Sequence, residues 1–115
     1  MRQILQSFIN KDTELFTSAI TYEEYEVGPL KSRNIQLIQN FEKFIEDLGI
    51  NVINIDQRIA ANAASIRARY TGFKAMDSLQ LASAVSEICD LFLTNDKQLL
   101  QFSQINCKTV ESINI

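Results

Sequence analysis

A chain of 115 residues with 46% hydrophobic side chains and few Gly or Pro can bury one core, so residues 1–115 are expected to form a single globular domain. The complete absence of histidine excludes Ser-His and Cys-His nucleophile activation, imidazole zinc sites and His-based ribonuclease chemistry, leaving carboxylates to carry any catalysis. A net charge of −3 excludes a broadly basic nucleic-acid platform, and no apolar run approaches the roughly 20 residues that cross a bilayer, so a cytoplasmic protein with no membrane contact is expected.

Ile4, Leu5, Phe8 and Ile9 recur at helical spacing and predict a short amphipathic helix over residues 2–10. Leu15 to Ile20 follows as a compact strand. Thr21-Tyr22-Glu23-Glu24 has the form of a capping box, with Thr21 accepting from a backbone amide and Glu24 reaching back, so a helix is expected to start there. Gly28-Pro29 should interrupt it. From about Ser32 to Leu48 a second helix carries Ile38, Phe41, Ile45 and Leu48 on one face and stops at Gly49.

Ile50 to Ile55 reads as the next strand, and Asp56 can cap a helix with Ile59, Ala63, Ile66 and Tyr70 along one stripe. Asp77 is expected to open a further helix whose apolar face runs through Leu81, Ala82, Val85 and Ile88. Leu91-Phe92-Leu93-Thr94 is uninterrupted and apolar, the pattern of a strand buried on both faces. Asn95-Asp96 ends it, Asp96 can cap a helix from Lys97 to Phe102, and a last strand lies around Lys108-Thr109-Val110. Strands alternating with helices predict an α/β fold with a mostly parallel sheet. The two cysteines, Cys89 and Cys107, match no metal spacing and read as buried reduced thiols.

Glu24 lies just after the first strand, Asp96 just after the apolar strand, and Asp77 at a helix start between them. In open parallel sheets those positions line the crevice where ligands bind, so the three carboxylates can converge. Oxygen-only ligands suit a hard cation such as Mg²⁺, which keeps waters and substrate phosphates in its other positions. Each acid also has a plain structural use as a helix cap or a favourable charge near a helix dipole. Arg67, Arg69, Lys74 and Lys97 are candidates for an RNA-facing rim, although each taken singly reads first as an ordinary solvated charge.

Three stretches carry a resemblance: Thr17 to Glu24 followed by Val27-Gly28-Pro29; Ala75-Met76-Asp77-Ser78-Leu79-Gln80-Leu81-Ala82-Ser83-Ala84; and Asp90-Leu91-Phe92-Leu93-Thr94-Asn95-Asp96-Lys97-Gln98-Leu99. Together they resemble the PIN-domain family, in particular its virulence-associated toxin endoribonucleases, from about Leu15 onward. The resemblance implies a three-layer α/β fold, Mg²⁺ or Mn²⁺ held by Glu24, Asp77 and Asp96, and Thr94, Asn95 and Thr21 beside the site. It also implies hydrolysis of RNA and often a dimer inhibited by an antitoxin protein.

One feature of the family is not found. Its opening apolar strand, central in the sheet and ending in the first catalytic Asp, has no counterpart, because the residues before Asp12-Thr13 read as a helix. Without that strand its neighbours lack ladder partners, and the expected remedies are a different strand pairing, an element exchanged within a homo-oligomer, or a strand borrowed from a partner. The expected function is a metal-dependent endoribonuclease. The alternative is a catalytically impaired remnant serving as an antitoxin-binding or self-associating module. A receiver-like or nucleotide-binding domain carries less weight, since no Gly-rich phosphate loop follows any strand.

Overall fold

The computed structural model describes residues 2–112. They fold as an α/β chain with parallel strands, divided into two compact units over residues 1–54 and 55–115.

The first unit opens with helix α1 (Arg2–Asn10) and strand β1 (Phe16–Ser18). Helix α2 (Ile20–Lys31), helix α3 (Ile35–Asp47) and strand β2 (Asn51–Ile53) follow. β1 and β2 pair in parallel with Phe16 opposite Asn51 and Ser18 opposite Ile53. The amide of Asn51 donates to Leu15 O at 2.8 Å and that of Ala19 to Ile53 O at 2.9 Å, extending the ladder at both ends. Ile4, Phe41, Ile45, Leu48 and Ile53 are buried, matching the apolar faces expected for α1 and α3.

Two expectations for α2 fail. Thr21 is not its cap: the helix begins at Ile20 after Ala19, and the Thr21 hydroxyl lies 2.7 Å from that of Thr17. Gly28-Pro29 does not interrupt it either. Pro29 lies within its last turn, where the ring removes one N–H donor to the carbonyl four residues back, and the helix still runs on to Lys31, with Ser32 Oγ donating to Gly28 O and Pro29 O just beyond it. The helix has no aliphatic stripe to reveal it. It packs instead through Tyr22, edge-on to Phe41 at 5.1 Å, and Tyr25, stacked on Phe41 at 4.4 Å.

The second unit contains α4 (Gln57–Arg69), α5 (Ala75–Ser86), β3 (Leu91–Thr94), a 3-10 helix (Lys97–Gln101), β4 (Asn106–Thr109) and a closing 3-10 turn (Val110–Ser112). Asp56 caps α4 as expected, its Oδ1 accepting from the Ile59 amide at 2.8 Å. α4 and α5 pack against each other. Small side chains permit the approach: Ala63, Ala82, Ser78 and Ser83 are all buried, the serine hydroxyls donating to Lys74 O and Leu79 O within their own helix. β3 pairs in parallel with β4, Leu91 opposite Asn106 and Thr94 opposite Thr109.

Two further differences concern this unit. β3 is half-buried at all four positions rather than buried on both faces. Ile88 lies off the apolar face of α5; it follows the helix end with φ of 53° and is 86% exposed. Helices α1, α2, α3 and α5 end alike, in a left-handed residue bracketed by a backbone bond reaching five residues back. The donors are Thr13 to Phe8 O, Asn34 to Pro29 O, Ile50 to Ile45 O and Cys89 to Ala84 O. Gly49 fills that position after α3, but Asp12, Arg33 and Ile88 fill it elsewhere.

Ile88 bears the largest strain of these, since its branched Cβ crowds the backbone where φ is positive. Ile88→Gly relieves about 2 kcal/mol of strain and gives back about 1 kcal/mol as extra freedom of the unfolded chain. The expected result is a net gain of about 1 kcal/mol in the denaturant-derived unfolding free energy. Arg33→Gly, with an unbranched Cβ, is expected to gain less in the same measurement.

Candidate active site

Asp96 follows β3 and N-caps the 3-10 helix, its Oδ1 accepting from the Gln98 amide at 2.9 Å. Thr94 Oγ1 accepts from the Asp96 amide at 3.0 Å, so the turn Thr94-Asn95-Asp96 is closed by side chains at both ends. Thr94 is half-buried, while Asn95, Asp96 and Lys97 are exposed.

The loop between α4 and α5 lies on this same segment. A Cβ placed on Gly72 would meet the end of the exposed Gln98 side chain, so the loop and the Gln98 carboxamide lie against each other. Tyr70 stacks on Phe73 at 4.7 Å, meets Phe102 edge-on at 5.6 Å, and its hydroxyl lies 3.3 Å from Ser103 Oγ. The seam is apolar at its base, where Phe73 and Phe102 are buried. It ties the start of α5 to the chain headed by Asp96.

Asp77 lies on that start, and here a local expectation is corrected. Lys74, not Asp77, occupies the N-cap position, and its side chain makes no cap bond. Asp77 is a half-buried acid in the first turn, where the helix dipole favours its negative charge. Arg67 and Arg69 occupy the last turn of α4, and with Lys74 and Lys97 they are exposed on the second unit. Lys43 with Asp47 is the ion pair formed among the described residues, so none of these four cations is held by an acid there.

Glu24 is exposed on α2 of the first unit, and Thr21, half-buried, lies a turn earlier on that helix. Among the described residues no three Cys, Asp or Glu side chains gather closely enough to hold a metal ion. The donors fit a hard cation in kind, being carboxylate oxygens. Two residues escaped sequence reasoning. Gln98 has no chemical signature, and its role appears only once Gly72 is seen against it. Glu26 belongs to no motif, yet its Oε2 is buried and finds no hydrogen-bond partner among the described residues.

Both cysteines are unpaired and half-buried. Burial pushes the Cys107 thiol up, and burial, then the charges of Glu87 and Asp90, push up that of Cys89. Both therefore stay protonated at neutral pH. Iodoacetamide at pH 7 is expected to label them more slowly than a free thiol in the same tube, as read by intact mass, with labelling accelerating only at alkaline pH.

The PIN domain family model matches residues 2–105. This chain belongs to the PIN domain family. Its PIN domain is also similar to a solved chain of a toxin–antitoxin complex from Klebsiella pneumoniae, with 28% sequence identity and a TM-score of 0.60. That likeness covers 76% of this chain and 68% of the other. No curated protein matches the chain. The family match begins within α1, ahead of the point near Leu15 where the motif resemblance starts. No helix among the described residues is long and apolar enough to cross a membrane.

Proposed function

We propose that this PIN domain works as one metal-dependent endoribonuclease of the toxin type, hydrolysing RNA in the cytoplasm with Mg²⁺ or Mn²⁺ held by Asp77, Asp96 and Glu24. The single observation that carries the reading is the seam of Gly72 on Gln98, which brings the helix start bearing Asp77 to the segment bearing Asp96. Mg²⁺ needs only one or two protein carboxylates, so these two acids of the second unit suffice in number, with Glu24 as the third. When bound, such a cation supplies an activated water and neutralises charge on the phosphate.

The chain's own residues do the rest. The Gln98 amide fixes the rotamer of Asp96, and Thr94 fixes the backbone of the turn, so the carboxylate is oriented before any ligand arrives. Asn95, exposed within that turn, is available to a phosphate or ribose oxygen. Arg67, Arg69, Lys74 and Lys97 draw the RNA backbone toward the acids on a chain whose net charge is otherwise negative. The likeness to a chain of a toxin–antitoxin complex supports an antitoxin-type protein as partner, and self-association is proposed with it.

A second reading, an impaired PIN domain used for binding, is favoured by the lack of a three-acid group among the described residues. Manganese titration followed by electron paramagnetic resonance, alongside cleavage of a fluorescent single-stranded RNA, separates the two. Saturable binding and cleavage that EDTA stops, both reduced in Asp77→Asn, support the enzyme. Binding of an antitoxin-type partner with no metal uptake and no cleavage supports the second reading.

A further inference from the structure

The Gln98 side chain stands beside Asp96 with no part in the chemistry described so far. Its backbone amide donates to Asp96 Oδ1 at 2.9 Å, which ties the residue to that acid. Its carboxamide is exposed, lies against Gly72 and forms no hydrogen bond among the described residues, whereas Gln101, three residues on, donates its own carboxamide N–H to Gln98 O at 3.1 Å. The segment it lies against is a fixed turn. Phe73 N donates to Tyr70 O at 2.9 Å, which puts Thr71 and Gly72, both exposed, at the two central positions. The Tyr70 ring, packed on Phe73 and Phe102, holds that turn in place. Arg69 precedes the turn, Lys74 follows it and Lys97 precedes Gln98; all three are exposed, and none is in an ion pair among the described residues.

We propose that, on the nuclease reading above, Gln98 is the specificity-determining residue and selects an unpaired adenine next to the phosphate held at Asp96. A carboxamide carries a donor and an acceptor side by side, and adenine presents the matching pair: N7 accepts from Nε2–H while N6–H donates to Oε1. Guanine presents two acceptors on the same edge, which suit arginine or lysine, and the pyrimidines have no N7. An A-form duplex hides that edge in a deep, narrow groove, so the selected adenine lies in a single strand or a loop. The neighbouring cations attract the flanking phosphates, which position the strand but carry no base information. Gly72 adds no side chain beside the carboxamide, and the turn that carries it is already fixed, so little ordering is left for the moment of binding.

Three fluorescent single-stranded RNAs test it: a uracil-rich strand with one adenine, the same strand with uracil in its place, and the same strand with 7-deazaadenine, which lacks the N7 acceptor. Anisotropy in EDTA reads affinity without cleavage, and kcat/KM with Mn²⁺ reads the same comparison under cleavage conditions. The intact chain is expected to favour the adenine strand over the uracil strand by about tenfold, with 7-deazaadenine falling toward uracil. Gln98→Ala is expected to treat all three alike. That variant keeps the backbone amide that caps Asp96, so its melting temperature should match the parent's. RNA binding or cleavage with no preference for adenine, a preference that survives in Gln98→Ala, or 7-deazaadenine accepted as well as adenine each overturns the proposal and leaves the nuclease reading standing. A chain that neither binds these strands in EDTA nor cleaves them with Mn²⁺ overturns the nuclease reading and the adenine selection with it.

Discussion

Asp96→Asn is expected to lower Mn²⁺ affinity and metal-dependent RNA cleavage by about a hundredfold or more while leaving the melting temperature nearly unchanged, since removing even an outer-shell group costs a metal site 10–100-fold. The substitution separates the two uses of this side chain. As an N-cap, Asp96 needs only an acceptor oxygen for the Gln98 amide, and asparagine is as good a cap as aspartate. As a ligand for a hard cation it needs its negative charge, which asparagine lacks. Asp96→Ala removes both at once and is expected to cost about 1 kcal/mol of stability as well, the usual loss for an N-cap. If Asp96→Asn binds Mn²⁺ and cleaves RNA as the parent does, Asp96 is a cap and nothing more. If activity falls only in proportion to a fall in stability, the same conclusion follows.

That double use explains why the site was only partly legible in the sequence. The turn Thr94-Asn95-Asp96 could be read directly, because a cap, an apolar strand and an acid are all local signals. Asp56 was legible for the same reason, and α3 and α4 showed themselves by aliphatic residues at helical spacing. Asp77 was placed on the right element but given the wrong duty. Nothing local distinguishes the cap of α5 from its first turn when the residue at the cap, Lys74, makes no side-chain bond.

What stayed hidden depends on contacts remote in sequence or on backbone geometry that side chains do not announce. α2 is held by two tyrosines on a phenylalanine of the next helix, so neither an aliphatic stripe nor an unbroken run of helix formers marks its length. Sequence rules look for glycine after a helix, yet α1, α2 and α5 use Asp12, Arg33 and Ile88 there; the reach-back bonds hold the strained residue in place. The seam of Gly72 on Gln98 joins residues too far apart for any periodicity to connect them. The parallel pairings themselves, β1 with β2 in the first unit and β3 with β4 in the second, join strands that the sequence shows only as short apolar runs.

The largest effect on stability is expected from Leu81→Ala. Leu81 is fully buried on α5, in the helix whose neighbours Ala82, Ser83 and Ala84 are also buried. Leu81 lies on the helix that packs against α4, where Ala63 is also buried, so truncating it removes contacts inside a close-packed interior and leaves a cavity. About 3 kcal/mol is the expected loss, enough to lower the melting temperature by about 10 °C and to use up a large share of a small domain's total stability. The effect should reach the site as well, because α5 carries Asp77 and abuts the loop seated on Gln98. Local loosening of α5 should therefore raise hydrogen exchange in Tyr70–Asp77 before the protein melts, while α3, whose core is Phe41, Ile45 and Leu48 of the other unit, keeps its protection. Equal loss of protection in α3 and α5 at temperatures below the melt would show instead that the two units unfold as one and that Leu81 stabilises the whole chain.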